Sequence, residues 1–405
     1  MIKENRRSMF HYDYKSKAHF DYILALLAFG LAGFGVLCVS IATFSTSAGT
    51  EDTLLNYIVA SYYGLRQTIF FLISPIVIGF VTIFPHDFIR RRSQVFYLFA
   101  CGLLLVALGG QAAGVKAWID IMWNYTLQPS EFVKLACIIT IAKYLEKTDN
   151  PLGTFKSAAR LGLLMGVPWL LTLLQGETGS VLVMVFVFAV MMYFGGIRLK
   201  VMGGIIAVGV LALIILYGVI MASGIDDYRI TRILSFVNPE LVDPNATYQV
   251  SQSKIAIGAG GTGGVGMFVQ GSFSQLDYVP EDYTDFIFST IGEAFGFWGT
   301  LGVLSTYLLL ILRMIYLSYY TQERFGQMVI VGVLAMMLFH VFQNVAMTIG
   351  FMPITGIPLP FLSYGGSNLV TNMAGIGLVL NMVMNRSVTS QGLAPQTRIK
   401  GRYTG

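Results

Sequence analysis

Two carboxylates, Asp285 and Glu293, lie where an acidic loop turns into an apolar helix, in the stretch YVPEDYTDFIFSTIGEAFGFWG of residues 278–299. A carboxylate at a membrane boundary is costly, so it is expected either to be paired or to have a function. As the residue that opens the predicted helix, Asp285 could be its N-terminal cap, completed by Thr284 and stabilised by the helix dipole. The same position, beside a long loop that contains Lys254, also suits a general base acting on a substrate whose tail lies in lipid.

Three further charges lie at or inside apolar stretches. Glu131 and Lys134, in QPSEFVKLA, are three residues apart, which places them on one helix face where they can form an ion pair. Glu177 follows in LLQGETGS. For Glu131 and Lys134 a buried structural pair and a substrate-binding role are both open, since charges inside a membrane protein often mark a functional pathway.

A stretch rich in proline and glycine, MPITGIPLPFLSYGGSNLV, interrupts the apolar pattern at residues 352–370. Irregular backbone at a membrane boundary is tolerated only where protein or a water-filled cavity covers it. The stretch is therefore expected to line a cavity, with Ser363, Tyr364 and Ser367 as candidate substrate contacts.

Two glycine patterns flank the acidic loop. GAGGTGGVG, residues 258–266, lacks the Gly-Lys-Ser/Thr ending of a phosphate-binding loop, so it predicts a flexible loop whose glycines let the backbone approach a ligand closely. Further on, Gly292, Gly296, Gly299 and Gly302 form a stripe of small residues that favours close helix packing in lipid. Internal packing explains this stripe at least as well as a partner-binding face does.

The composition indicates an integral membrane protein. Of the 405 residues 55% are hydrophobic and only 12% are charged, against roughly a quarter charged in ordinary soluble domains. Apolar runs fill almost the whole chain, which indicates one polytopic domain. Cys38, Cys101 and Cys137 each lie in an apolar run without paired spacing, so neither disulfides nor a zinc site are expected. The net charge of +5 fits basic loops beside membrane spans and gives no reason to expect nucleic-acid binding.

The predicted fold class is an all-α polytopic membrane protein with ten transmembrane helices, since about 20 apolar residues cross a bilayer. Clusters of Lys and Arg alternate along the chain so that both termini are cytoplasmic. The first span follows a basic segment but is too long for a signal-peptide core, so it is expected to be retained. The predicted spans lie near residues 21–46, 66–85, 94–113, 129–145, 158–175, 179–198, 201–223, 285–315, 326–350 and 366–385.

This topology divides the chain into a cytoplasmic basic segment (residues 1–20), a membrane domain (residues 21–386) and a cytoplasmic tail (residues 387–405). It places the one long polar connection, residues 224–284, on the outer face between the seventh and eighth spans. A connection of about 60 residues is usually functional or disordered. The apolar pattern in YQVSQSKIAIG indicates short structured pieces at the membrane surface.

The stretch GIPLPFLSYGGSNLVTNMAGIGLVLN resembles the hallmark of the SEDS family of shape, elongation, division and sporulation proteins, which includes RodA, FtsW and SpoVE. The likeness extends over nearly all the predicted spans. It includes QPSEFVKLA, YQVSQSKIAIGAGG and VPEDYTDFIFSTIGEAFGFWG in the same order, and the wording QSKIAIG is more like RodA than FtsW.

The resemblance implies a peptidoglycan glycosyltransferase that polymerises lipid II at the outer face of the bacterial cytoplasmic membrane, for cell elongation and rod shape. It implies a partner as well, a class B penicillin-binding protein that crosslinks the strands. Asp285 matches the aspartate of the family motif HTDFIF, which makes it the expected catalytic carboxylate. Gln252 and Ser253, in the outer-loop motif, are further candidate substrate contacts.

The sequence departs from the family pattern at two places. Tyr283 stands where the usual His precedes Thr-Asp, which removes a possible charged neighbour of Asp285. The common Pro-Asp-Leu-Gly between the fifth and sixth spans reads Gly-Glu-Thr-Gly at residues 176–179, so Glu177 keeps a carboxylate there on a longer arm.

The residues and the resemblance lead to the same chemistry. Asp285 would take the proton from the 4-hydroxyl of the acceptor sugar, which attacks the anomeric carbon of the donor with inversion. The departing lipid pyrophosphate needs cations, and Lys254, Arg229 and Arg232 are the candidates, alone or with a divalent ion such as Mg²⁺ or Mn²⁺.

Other functions fit parts of the sequence. A transporter that flips lipid II would also place charges inside its spans, although transporters more often show internal repeats and broken helices, and no convincing repeat is present. A scaffold that recruits a transpeptidase through the glycine stripe is compatible with catalysis. Within the family, an FtsW-like role in division or a SpoVE-like role in sporulation is the alternative to elongation.

Overall fold

A computed structural model describes residues 20–44, 54–110, 117–122, 125–148, 151–197 and 244–384, with the isolated positions 203–204 and 236. The described chain is helical almost throughout. The helices are α1 (Tyr22–Ala42), α2 (Leu54–Ala60), α3 (Tyr62–Ile83), α4 (His86–Gly109), α5 (Pro129–Glu146), α6 (Phe155–Leu174), α7 (Thr178–Phe194), α8 (Pro244–Gly260), α9 (Ile287–Tyr320), α10 (Arg324–Thr348) and α11 (Gly366–Met384), and the strands are β1 (Ile119–Met122) and β2 (Tyr125–Leu127).

Seven of the described helices are long and apolar enough to cross a membrane, namely α1, α3, α4, α6, α9, α10 and α11. Two more, α5 and α7, coincide with predicted spans, but α7 has only 17 residues and α5 carries Glu131 and Lys134. The predicted span near residues 201–223 lies outside the described residues apart from positions 203–204, as do the tail and residues 1–19. The described chain is therefore a mostly helical, polytopic membrane-type fold, as the composition predicts.

A short antiparallel hairpin before α5 is the exception to the all-α prediction. Ile119 of β1 lies opposite Leu127 of β2, and the hydroxyl of Ser367 on α11 contacts the carbonyl oxygen of Thr126 at 3.4 Å. Isoleucine, tyrosine and threonine favour paired strands. A search for runs of about 20 apolar residues cannot detect so short an element.

Helices α10 and α11 occupy the centre of the bundle. α10 packs against α5, α7, α9 and α11, while α11 packs against α3. Both are buried over most of their length, whereas α3, α4 and α6 are mostly exposed. Interior helices are expected to be apolar on all sides, so the polar side chains of α10 described below require partners from neighbouring elements.

Ion pairs hold one end of the bundle together. The carboxylate of Asp21 caps α1 by accepting from the Leu24 amide and also accepts from the Arg313 guanidinium of α9, at 2.6 Å from Nη2 to Oδ2. Nearby, Nη1 of Arg90 on α4 lies 2.7 Å from Glu146 of α5 and 3.2 Å from Glu323. These pairs lie at the end of the bundle where the sequence places the cytoplasm.

Helix α9 is broken at Gly296, whose backbone (φ 63°, ψ −158°) leaves the helical region. Within a membrane, the backbone groups that a break releases need other partners. Residues 261–266 supply them, and they lie so close that a Cβ at Gly264 would be 2.2 Å from the Ala294 carbonyl oxygen. The bonds run from Val265 N to Glu293 O (2.9 Å), Gly266 N to Ala294 O (3.1 Å), Phe297 N to Gly261 O (2.9 Å) and Trp298 N to Thr262 O (3.3 Å).

These bonds correct the prediction of a flexible glycine loop. Gly258 and Gly260 belong to the last turn of α8, and the residues after them are fixed to the break in α9. The glycines do permit a close approach of the backbone, as predicted, but to another helix of the same chain. A Cβ at Gly260, for example, would lie 1.9 Å from the Gly292 carbonyl oxygen.

The glycine stripe of α9 has two different parts. A Cβ at Gly292 would lie 2.9 Å from the Ile257 side chain, and one at Gly296 would lie 2.4 Å from the Gly264 nitrogen. These two glycines pack internally. Gly299 faces Phe295 of its own helix, and only Gly302 of the four has open space around it.

Replacing Gly296 with leucine is expected to destabilise the protein in detergent. An L-residue in this backbone region, which is essentially restricted to glycine, costs about 1–3 kcal/mol, and the side chain would separate residues 261–266 from α9. Gly302→Leu is the matched control and should melt like the wild type. Melting followed by size-exclusion chromatography compares the two, and equal melting temperatures would show that the contact at the break contributes no stability.

Candidate active site

Asp285 lies before α9 rather than at its cap. The helix begins at Ile287, and its N-cap residue is Phe286, which offers no side-chain hydrogen bond. The alternative in which Asp285 is the N-cap residue of this helix is therefore wrong. Asp285 is partly buried and lies two residues before the first residue of the helix.

The backbone around Asp285 is held at consecutive carbonyl groups. The Asn344 side chain, on α10, donates to the carbonyl of Asp285 and also to that of Ile357, so it joins the segment before α9 to the proline-rich stretch. The bonds are Tyr364 N to Tyr283 O (2.8 Å), Ser363 Oγ to Thr284 O (2.6 Å) and Asn344 Nδ2 to Asp285 O (2.8 Å). These contacts fix the position of the carboxylate through its main chain.

Ser363 is the centre of this support. Its side chain is buried; its hydroxyl donates to the Thr284 carbonyl and accepts from the Leu359 amide at 2.8 Å. The Gln67 side chain of α3 donates to the Ser363 carbonyl at 3.2 Å. Ser363, a predicted substrate contact, therefore holds the loop that carries Asp285.

Three tyrosines pack beside this loop. Tyr283 stacks on Tyr63 with ring centroids 4.6 Å apart, and Tyr364 meets Tyr63 edge-on at 4.9 Å. Burial raises the pKa of Tyr283 and of Tyr364, and a hydrogen bond from Arg66 partly offsets the effect at Tyr364. Both phenols therefore remain protonated at neutral pH and can donate hydrogen bonds. Arg66, which the sequence analysis missed, also lies over the ring of Tyr125 at 4.6 Å.

Helix α8 brings the other outer-loop candidates to the same end of α10. Ser253 is buried and donates to the Thr348 carbonyl at 2.9 Å, one turn beyond Asn344. Lys254 is exposed, and its ammonium would lie 3.5 Å from a Cβ placed at Gly350. Gln252 is partly buried. The predicted cations Arg229 and Arg232 lie outside the described residues.

Glu131 and Lys134 form the predicted pair, with Nζ and Oε1 2.8 Å apart and both side chains almost fully buried. His340 of α10, which sequence analysis missed, lies on the other side of the ammonium, with Nε2 at 3.0 Å. Glu131 Oε2 and His340 Nδ1 have no hydrogen-bond partner in the described structure.

Glu177 and Ser367 are joined through Gln128, the residue before α5. The side-chain amide of Gln128 donates to Glu177 Oε1 at 2.6 Å, and its backbone amide donates to the Ser367 hydroxyl at 3.1 Å. Glu177 is the N-cap residue of α7, but its side chain makes no capping hydrogen bond. The longer arm of this carboxylate is thus used to reach the start of another helix.

Glu293, the second carboxylate of the opening stretch, anchors the outer loop. Its side chain is buried and accepts from the amides of Phe273 (2.6 Å) and Ser274 (3.1 Å) and from the Ser274 hydroxyl (2.7 Å). A buried carboxylate with such partners is satisfied. Glu293 thus links the loop before Asp285 to the turn of α9 that immediately precedes the break at Gly296.

A third carboxylate, Asp282, is buried close to Asp285 in sequence. Burial raises its pKa well above the usual range, and the nearby charges of Asp277 and Glu293 add to the effect. Asp282 therefore keeps its proton to a higher pH than a solvent-exposed aspartate does. Across the described residues, no group of three or more His, Cys, Asp or Glu side chains is arranged to hold a metal ion.

Comparison with known proteins places this arrangement in a family. The family model for FtsW, RodA and SpoVE, described as cell cycle proteins, matches residues 22–388. The chain belongs to this family. It is 33% identical to a probable peptidoglycan glycosyltransferase FtsW of Trichlorobacter lovleyi, over 90% of this chain and 93% of that protein.

A second relative and a solved structure agree. The chain is 32% identical to the peptidoglycan glycosyltransferase MrdB of Escherichia coli K12, over 72% of this chain and 78% of MrdB. It is 25% identical, with a TM-score of 0.73, to a chain in the structure of a peptidoglycan synthase complex that coordinates polymerization and crosslinking; the match covers 91% of this chain and 98% of that one.

Proposed function

We propose that the protein is a peptidoglycan glycosyltransferase that polymerises lipid II at the outer face of the cytoplasmic membrane. Its relatives are named as peptidoglycan glycosyltransferases. Within the chain itself, the strongest argument is that Asp285 is held in a fixed position. The backbone carbonyls of residues 283–285 accept hydrogen bonds from α10 and from the proline-rich stretch. A base needs this kind of fixed position to act on one hydroxyl group.

In the proposed reaction, Asp285 accepts the proton of the acceptor's sugar 4-hydroxyl while that oxygen attacks the anomeric carbon of the donor. The bond from the anomeric carbon to the lipid pyrophosphate breaks, the pyrophosphate leaves with the electron pair, and the configuration inverts. Lys254 is the described cation that reaches the same end of α10. Arg229, Arg232 and a divalent ion such as Mg²⁺ or Mn²⁺ remain proposed contributors to the charge balance.

A lipid II flippase is the second candidate, and one observation favours it. The break in α9 is a feature that transporters use to build binding sites in the membrane. Here, however, the groups released at Gly296 bond to residues 261–266 of the same chain. Polymerisation is therefore preferred, because the backbone groups at the break are already bonded within the chain and do not form a binding site for a transported substrate.

The finer topology is part of the proposal. We infer ten spans with both termini cytoplasmic in the inner membrane, with α5, α7 and residues 201–223 as the spans beyond the seven long helices. The outer connection of residues 224–284 then includes α8 and precedes Asp285. The wording QSKIAIG favours cell elongation and rod shape over a role in division or sporulation.

The direct test is incubation of the purified protein with labelled lipid II, followed by electrophoresis of the products. A ladder of glycan strands is the expected result. Transport of lipid II across vesicles without any ladder would instead assign the protein to the flippase class.

We also propose a class B penicillin-binding protein as the partner, since the similar chain belongs to a complex for polymerization and crosslinking. Gly302 is the one glycine of the stripe with room for another helix. Gly302→Leu should leave the purified protein monodisperse but reduce co-purification with its transpeptidase. Undiminished co-purification would place the contact elsewhere on the protein.

A further inference from the structure

The segment beside the break in α9 has an uncharged and exposed outer side. No charged side chain occurs between Lys254 and Asp277. We refer to residues 265–269 as the loop edge. Val265, Met267 and Val269 of this edge are 42%, 48% and 37% exposed. Such an apolar surface is unusual for a loop that faces water, so it needs an occupant.

The loop edge has a defined inner side that holds it in place. Phe268, between the exposed residues, stacks on Tyr57 of α2 with ring centroids 4.2 Å apart and meets Phe44 edge-on at 5.5 Å. Alternate side chains therefore point inward and outward. The exposure of Met267 and Val269 follows from this fixed arrangement.

The backbone bonds to α9 set the depth of the loop edge. Val265 is bonded to Glu293, and Thr262 to Trp298. From Arg313 to Phe297, the part of α9 after the break rises about 24 Å at 1.5 Å per residue, which is most of the roughly 30 Å thickness of the hydrocarbon core. Arg313, paired with Asp21, marks one boundary of the membrane, so the loop edge lies at the opposite boundary.

The exposed surface of α9 continues into the loop edge. Phe297 and Trp298 of this membrane-spanning helix are 54% and 68% exposed. Their backbone amides donate to the carbonyls of Gly261 and Thr262. Tryptophan is enriched at the membrane–water interface, so an exposed Trp298 fits this level of the bilayer. The loop edge lies beside these residues at the same depth in the bilayer, so the lipid that covers Phe297 and Trp298 also covers the loop edge.

From this geometry we propose that the loop edge inserts its apolar side chains into the outer leaflet of the bilayer and acts as a lipid-contact surface. The occupant is the interfacial region of the membrane, and no specific headgroup is needed because the edge carries no charge. Since Glu293 links the same turn of α9 to Phe273 and Ser274, the insertion would also set the height of the loop before Asp285. The lipid contact itself does not depend on the proposed enzymatic activity.

Single-cysteine labelling tests this proposal. Cys38, Cys101 and Cys137 are all buried, so a fluorophore that responds to polarity can be attached selectively at Met267→Cys or Val269→Cys. The labelled protein alone is placed in phosphatidylcholine nanodiscs. We expect a blue-shifted emission, strong quenching by phosphatidylcholine with a doxyl group near the headgroup, and several-fold weaker quenching by aqueous iodide than at the control position.

The control is Glu281→Cys, an exposed charged position of the same outer loop, where iodide should quench and the lipid probe should not. Quenching of positions 267 and 269 by iodide as strongly as position 281 would overturn the proposal. A blue shift that appears only after the transpeptidase is added would also overturn it, because the loop edge would then be a protein-docking surface.

Discussion

Asp285→Asn is expected to abolish measurable glycan polymerisation while the protein reaches the membrane in its normal amount. The amide has the shape of the carboxylate but cannot accept the proton of the acceptor hydroxyl. A positioned base contributes about 10²–10⁴-fold to such a step, so the initial rate of ladder formation from labelled lipid II should fall by that factor. The supporting bonds end on backbone carbonyls of residues 283–285, so they survive the substitution.

Asp282→Asn is the matched control for this experiment. Burial raises the pKa of Asp282 and so favours its neutral carboxyl form; the amide imitates that form, and activity should be retained. A carboxyl group whose pKa is raised in the folded state contributes its full stability only in acid, and this stability is lost as the pH rises. Asparagine cannot ionise, so the Asp282 variant should resist alkaline unfolding better than the wild type. Near-normal polymerisation by Asp285→Asn, or an equal loss in the control, would argue against Asp285 as the base.

The pattern of apolar residues predicts the positions of the seven long apolar helices well and their ends poorly. The span expected near residues 94–113 belongs to a helix of residues 86–109, because α4 extends beyond the lipid through Arg90. Arginine there lowers the hydropathy of the window but pairs with Glu146 and Glu323 from other helices. A hydropathy window detects only the apolar part of a helix. The charged first turns of α4 are stabilised by ion pairs with residues distant in sequence, which a local window cannot detect.

Local sequence rules also explain which site features could be predicted. The Glu131–Lys134 pair follows from a spacing of three residues on one helix, whereas His340 reaches Lys134 from a helix about 200 residues away and leaves no local signal. The same distinction separates Glu293 from its partners. The cost of burying a carboxylate predicts that partners exist, but only the folded loop shows that they are Phe273 and Ser274.

The capping alternative for Asp285 fails for a comparable reason. Thr284 and Asp285 have the composition of a helix cap, and local propensity favours that structure. Their carbonyls are instead held by Ser363 and Asn344, which come from later parts of the chain. These long-range bonds place the start of α9 two residues beyond Asp285, so tertiary contacts override the local preference.

Removing only one member of the buried pair Glu131–Lys134 is expected to cost about 3–5 kcal/mol, because the remaining charge is left in a low-dielectric environment without its partner. Lys134→Met and Glu131→Gln should therefore each lower the melting temperature and the yield of protein from membranes. Lys143→Ala, at the far end of the same helix α5, is the control and should have little effect, since its ammonium makes only a long, solvent-exposed hydrogen bond to the Arg91 carbonyl.

The double variant Glu131→Gln with Lys134→Met separates a structural pair from a substrate contact. If the pair is structural, the double variant should be more stable than either single variant, and the coupling energy from the four melting curves should be large. Recovery will be incomplete, because His340 also loses the ammonium that lies 3.0 Å from its Nε2. Single variants that remain stable but make no glycan would instead assign Glu131 and Lys134 to the substrate cavity, where the partner-free Oε2 of Glu131 is available for a hydrogen bond.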